Sequence, residues 1–212
     1  MAREDAFPDP EPRRVDAALL AALVERLALE GYGDDVTWSE TVALAGEPED
    51  PDFFAREAIF VIANSGMRHT VARGIFERAM GALLAGEPVL GVFGHKGKAA
   101  AMEYIWAERA RLLAEYRAAP DKLAFCGSLP WIGGITRYHL AKNFGVDCAK
   151  PDVHLQRLAD RQGETVPGLC ARLAAETGYR IATVDLVLWR ACATGLLDSP
   201  TGRVSPAVLT VR

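Results

Sequence analysis

The chain has 212 residues, half of them hydrophobic, and a formal net charge of −4. That length can bury a substantial core, as one domain or two small lobes. No apolar run approaches the ~20 residues needed to span a bilayer, and the residues after Met1 lack the apolar region of a signal peptide, so a cytoplasmic protein is expected.

Charge is unevenly divided. Residues 1–60 hold 15 acidic residues against 5 arginines, whereas residues 61–212 hold 19 Lys and Arg against 13 acidic residues. The basic excess lies in the part that carries the motif described below, as a local phosphate-binding face requires. Four cysteines, Cys126, Cys148, Cys170 and Cys192, stand 22 residues apart. Nothing around them repeats, and no pair has the spacing of a zinc site. They are expected to be reduced, mostly buried thiols, and neither a metal nor a cofactor is implied.

Taken in chain order, residues 1–14 are rich in proline and charge and are expected to form a mobile tail. Residues 15–31 predict a helix, with Leu19, Val24 and Leu27 near helical spacing and Gly31 as its stop. An acidic loop over 45–52 ends in Asp50-Pro51-Asp52 and leads into an apolar helix from Phe53 to about Asn64. A further helix is predicted from Val71 to Ala85, ended by Gly86-Glu87-Pro88. His95, Lys96 and Lys98 suit either a phosphate-facing loop or a solvated surface, ahead of one long helix from Ala99 to Ala118. Lys122 to Gly127 predicts a short helix. Beyond residue 152, helices are predicted over 153–161, 166–177 and 180–194, with an extended tail from Ser199. With no strand run or repeat, the fold class is all-α.

Residues 129–154 are the most informative stretch. Ile132-Gly133-Gly134 predicts a tight hairpin that opens a helix of about four turns. A short loop then presents Asp152 between Pro151 and Val153-His154. Small residues at a helix N-terminus leave backbone N–H groups for a phosphate. Gly133, Gly134 and Thr136 are the candidates to hold one, with Ile132 and Arg137 beside them. Arg137 and Lys142 suit further phosphate contacts or plain solvated charges. Asp152 also has two readings: a carboxylate that stabilises positive charge on a sugar and orients water, or the N-cap of a helix starting near Val153.

Leu129, Pro130, Ile132, Gly133, Thr136, Asp152 and His154 together resemble the signature of the HhH-GPD superfamily of DNA glycosylases, a Leu-Pro-Gly-Ile-Gly-x-x-Thr hairpin followed by Asp-x-His. Two positions depart from it. Trp131 stands where the hairpin usually has its first glycine, and Ile135 where lyase-competent members carry a catalytic lysine. The cysteine cluster of iron–sulfur members is also absent. The resemblance implies a two-lobed helical fold, with 15–55 and 153–212 forming one lobe. A middle bundle over 56–152 would end in the helix-hairpin-helix at 129–145, with a cleft between the lobes.

The resemblance further implies a monomeric, nucleoid-associated enzyme acting on double-stranded DNA that contains a modified base. It would flip that base and hydrolyse its N-glycosidic bond, with Asp152 catalytic. An alkylated purine is the first expected substrate, because a cationic base is already a good leaving group; 8-oxoguanine follows. Ile135 cannot supply a Schiff-base amine, so monofunctional hydrolysis is expected. The alternatives are a bifunctional glycosylase/lyase using Lys142 or another amine, and a non-enzymatic helix-hairpin-helix DNA-binding protein. In this superfamily the loop after an early apolar helix fills the gap left by the flipped base. Asn64 and Met67 occupy that place, with a helix C-cap as the other reading. Trp38, Trp131, Asp185 and Trp189 are the base-pocket candidates, along with Phe60 and Tyr138. The aromatic residues suit stacking or the core, and Asp185 a base edge, a cap or an ion pair.

Overall fold

The computed structural model describes residues 14–210. Apart from Arg14, the tail expected over 1–14 lies outside the described residues. Helix accounts for 70% of the structure and no strand forms among the described residues, so the protein is all-α. No helix is long and apolar enough to cross a membrane.

Contacts divide the chain into two units, one containing residues up to Glu40 together with Ala149 onward, the other Thr41–Cys148. Residues 41–55 therefore leave the unit expected for them, and 149–152, including Asp152, join it. The first shift has a plain cause: Phe54 and Ala55 are fully buried in the core of the Thr41–Cys148 unit.

In the first unit, α1 (Ala17–Leu27) is capped by Asp16, whose side chain accepts from Leu19 N–H. It buries Leu19, Leu20, Leu23 and Leu27. Gly31, at φ +89°, turns the chain into α2 (Gly33–Thr41). The sequence did not predict α2, because Val36 is its one buried apolar residue. What holds α2 is polar: Arg180 donates to the Ser39 carbonyl, and Thr183 Oγ1 donates to Ser39 Oγ at 2.9 Å.

The second unit opens with α3 (Pro51–Asn64), where Asp50 accepts from the N–H groups of Asp52 and Phe53 and Pro51 presets the first turn. Next come α4 (His69–Ala85), closed by the left-handed Gly86, and α5 (Lys96–Ala107). The single long helix expected over 99–118 is broken at Glu108, after which α6 (Arg109–Ala118) begins. Arg109 supports the break: its Nη1 donates to the Trp106 carbonyl at 2.6 Å and its Nε pairs with Asp52. A capped α7 (Lys122–Ser128) leads through the hairpin to α8 (Thr136–Asn143). With eight residues, α8 has half the expected length. It stops because Asn143 is buried and donates to Glu57 at 2.7 Å, after which Gly145, at φ +82°, reverses the chain. Around Phe54 the rings of Phe144 and Tyr116 lie 5.1 and 5.9 Å away, closing this core.

The first unit resumes with α9 (Val153–Arg161), α10 (Val166–Thr177) and α11 (Ile181–Ala193), which match the predicted helices within a residue. Their shared core includes Leu155, Leu158, Leu169, Leu173, Val184 and Leu188, all nearly or wholly buried. The tail from Ser199 is not extended. Leu197 and Val204 form an antiparallel bridge across a turn, and Ser205 caps α12 (Pro206–Leu209), whose Val208 enters the core.

Candidate functional site

The hairpin between α7 and α8 turns on Trp131, the one non-glycine residue with positive φ among the described residues, at +63°. Left-handed backbone is the conformation a glycine supplies at this point of the motif, so the bulky residue keeps the turn at a strain of about 1–2 kcal/mol. Its neighbours hold it there. The indole meets the His95 ring edge-on at 4.8 Å and occupies the space a Cβ on Gly97 would take, 2.4 Å from Trp131 Cζ2. An open pocket of about 430 Å³ is lined by Trp131, Ser65 and residues 132–136.

The donors in this pocket differ from those expected. Gly133 N–H donates to Thr136 Oγ1 at 2.8 Å, and Ile132 N–H to the Leu129 carbonyl at 3.1 Å. Ile132 itself is buried. The amides left without a protein acceptor are those of Gly134, Ile135 and Thr136. Arg137 is not a solvated cation reaching outward. Its chain lies against Gly127, its guanidinium sits 5.1 Å from the centre of the Tyr138 ring, and its Nε is buried without a partner.

His95 caps α5, its Nδ1 accepting from Lys98 N–H. Lys98 is neither a phosphate-facing nor a solvated residue: it is 4% exposed, and its ammonium donates to the Ser65 carbonyl at 2.6 Å. Burial lowers its pKa below the ordinary lysine value. This strut fixes the turn after α3, where the wedge was expected. Asn64 and Met67, both partly buried, have contacts of their own. Asn64 Nδ2 donates back to the Phe60 carbonyl at 2.9 Å, and Met67 packs against the core.

In the other unit, Asp152 is the N-cap of α9. Its Oδ1 accepts from the N–H groups of His154 and Leu155 at 3.0 and 3.1 Å. Its Oδ2 is buried with no hydrogen-bond donor, 3.4 Å from the Lys150 ammonium. The capping role is therefore met by Oδ1, while Oδ2 faces the Lys150 ammonium. His154 extends the arrangement, its Nδ1 lying 3.0 Å from the buried Ser199 Oγ. Cys192 is pushed up to about 12, chiefly by burial and then by the negative charges of Asp152 and Asp198.

Asp185, a candidate for a base edge, a cap or an ion pair, is 1% exposed. Its Oδ1 accepts from Lys150 N–H at 3.2 Å and so anchors the loop that ends in Asp152. Trp189, on the same helix, is half-buried, with the ammonium of Lys150 5.5 Å from its ring centre and the Arg190 guanidinium at 5.0 Å. Trp38 is half exposed on α2, while Trp131 belongs to the other unit. The structure thus brings Asp152, Asp185 and Trp189 together around Lys150. The sequence reading passed over Lys150 and missed the burial of Lys98. The first stood two positions before Asp152 in plain view; the second carried no local signal of burial.

None of the four cysteines forms a disulfide; Cys126 and Cys170 are buried and the other two partly so. Among the described residues no group of His, Cys, Asp or Glu side chains is placed to hold a metal ion. In comparisons with known proteins, no family model, no curated protein and no solved structure matches this chain.

Proposed function

We propose that the protein is a DNA glycosylase of the helix-hairpin-helix type, which flips a modified base out of duplex DNA and breaks its N-glycosidic bond. The observation that carries this reading is Asp152: one carboxylate oxygen is fixed by two amides of α9 while the other is buried without a hydrogen-bond donor. Breaking an N-glycosidic bond develops positive charge on the sugar. A fixed, partly desolvated carboxylate stabilises that charge more strongly than one in water. The hairpin supports the same reading, since the amides of Gly134, Ile135 and Thr136 form a small anion-binding set for a DNA phosphate. An alkylated purine is the favoured substrate class, followed by 8-oxoguanine, because a cationic base needs little acid assistance to leave.

The test is mass-spectrometric detection of free bases released from methylated, oxidised and untreated duplex DNA by wild type and Asp152→Asn. Release of a defined base by wild type alone supports the reading and names the substrate class. Binding to duplex DNA that survives Asp152→Asn, with no base released from any substrate, would replace it with a non-enzymatic DNA-binding role.

A further inference from the structure

We propose that the hairpin pocket binds one unpaired nucleotide of DNA, its phosphate on the amides of Gly134, Ile135 and Thr136 and its base stacked on the Trp131 indole. This rests on the glycosylase reading and narrows its substrate to DNA that carries the modified base in or near a single-stranded stretch, such as a gap.

The pocket offers more than a backbone contact uses. At about 430 Å³ it lies in the range that takes a whole small ligand. Trp131 is 48% exposed and Ile135 46%, so the anion-binding amides stand beside open apolar surface. An exposed indole next to phosphate donors suits a nucleotide, which joins an anion to a π-face in one residue. In an intact duplex each base face is covered by its neighbours. A base therefore reaches the indole only where it has left the stack.

The ring is held as a platform. His95 meets it edge-on at 4.8 Å, and Gly97 passes so close that a Cβ there would lie 2.4 Å from Trp131 Cζ2. An indole fixed before the ligand arrives loses little side-chain freedom on stacking. The left-handed backbone of Trp131 is a cost of the kind that gathers at ligand clamps. Electrostatics act in the same direction. The lining contains no acidic residue, and Ser65 is part of it. The Lys98 ammonium, on a side chain 4% exposed, donates to the Ser65 carbonyl, a neutral partner and not a carboxylate. A buried cation in the wall favours an anion in the pocket.

The experiment measures, by fluorescence anisotropy, binding of one labelled oligonucleotide presented single-stranded, in a gapped duplex and in an intact duplex. The full chain is compared as wild type, Trp131→Gly, Trp131→Phe and Gly97→Ala. Wild type should prefer the single-stranded and gapped forms. Trp131→Gly should weaken those two by about 5- to 150-fold, the worth of one stacked base, and leave intact-duplex binding unchanged, which also shows that it is folded. Trp131→Phe should retain most of the preference, and Gly97→Ala, which displaces the indole without removing it, should lose part of it. Equal binding of all three forms by wild type overturns the proposal and stands without any variant; base release from duplex by that protein leaves the glycosylase reading intact. A preference that persists undiminished in Trp131→Gly overturns it too. A single-strand preference that depends on Trp131, with no base released from any lesion in any of the three forms, supports the pocket and overturns the glycosylase reading.

Discussion

Under the proposed function Asp152 caps α9 through Oδ1 and acts on the sugar through Oδ2, and substitutions separate the two roles. Asparagine keeps an oxygen for the amides of His154 and Leu155 and remains a good N-cap, whereas alanine removes the cap at about 0.5–2 kcal/mol. Asp152→Asn should therefore unfold in urea close to wild type yet release no base, and Asp152→Ala should show both losses. Trp131 is the second residue whose effects oppose each other. Trp131→Gly relieves about 1–2 kcal/mol of left-handed strain and gives up an aromatic contact of about 0.5–1.5 kcal/mol with His95. Its urea midpoint should stay near wild type. Trp131→Ala keeps the strain and loses the ring, and should be less stable by about 1 kcal/mol. Equal destabilisation by glycine and alanine would show that the ring, not the backbone, dominates.

Among the elements, those with local signals were legible in the sequence. Asp50-Pro51 opens α3, Asp121 opens α7 and Thr165 opens α10, each by a side chain accepting from an amide two or three residues on. The elements that departed did so for contacts distant in sequence. The break at Glu108 depends on Arg109 meeting Asp52, and the early end of α8 depends on Asn143 meeting Glu57, 86 residues away. The turn after α3 is likewise set by Lys98, 33 residues from the Ser65 carbonyl it serves. Lys98→Met leaves that carbonyl without its donor, while removing the cost of a buried charge. The first effect, about 1–3 kcal/mol, is partly offset by the second. A net loss of about 1 kcal/mol is expected, with faster amide exchange at Met67 and unchanged protection in the middle of α3. Uniform exchange across both would mean that the strut does not govern the turn.

For the whole molecule, buried ionisable groups couple stability to pH. Burial raises the Glu57 pKa above its ordinary 4.5, against the opposing effects of the Asn143 hydrogen bond and Arg56. Between 4.5 and that raised value the folded protein holds a proton that the unfolded chain has released, so this group's contribution to stability declines as pH rises through the window. Glu57→Gln keeps an oxygen for Asn143 Nδ2 and removes the titration. Its melting temperature should vary less with pH from ~4.5 upward and exceed wild type at neutral pH. A slope equal to wild type would place the coupling elsewhere.

The sequence by itself determined the all-α class, most helix boundaries, the hairpin and the position of Asp152 at the start of a helix. These follow from apolar periodicity, capping and glycine placement, which act over a few residues. Tertiary structure alone decided which polar groups are buried and what they face. Arg137 folds onto Gly127, Asp185 turns inward to hold Lys150 N–H across 35 residues of chain, and Gly133 is turned onto Thr136. Lys150-Pro151-Asp152 was readable as letters, but not as an amine beside a carboxylate. Its geometry is set by Asp185 and Trp189 on α11, because a charged group's environment depends on what packs against it in space.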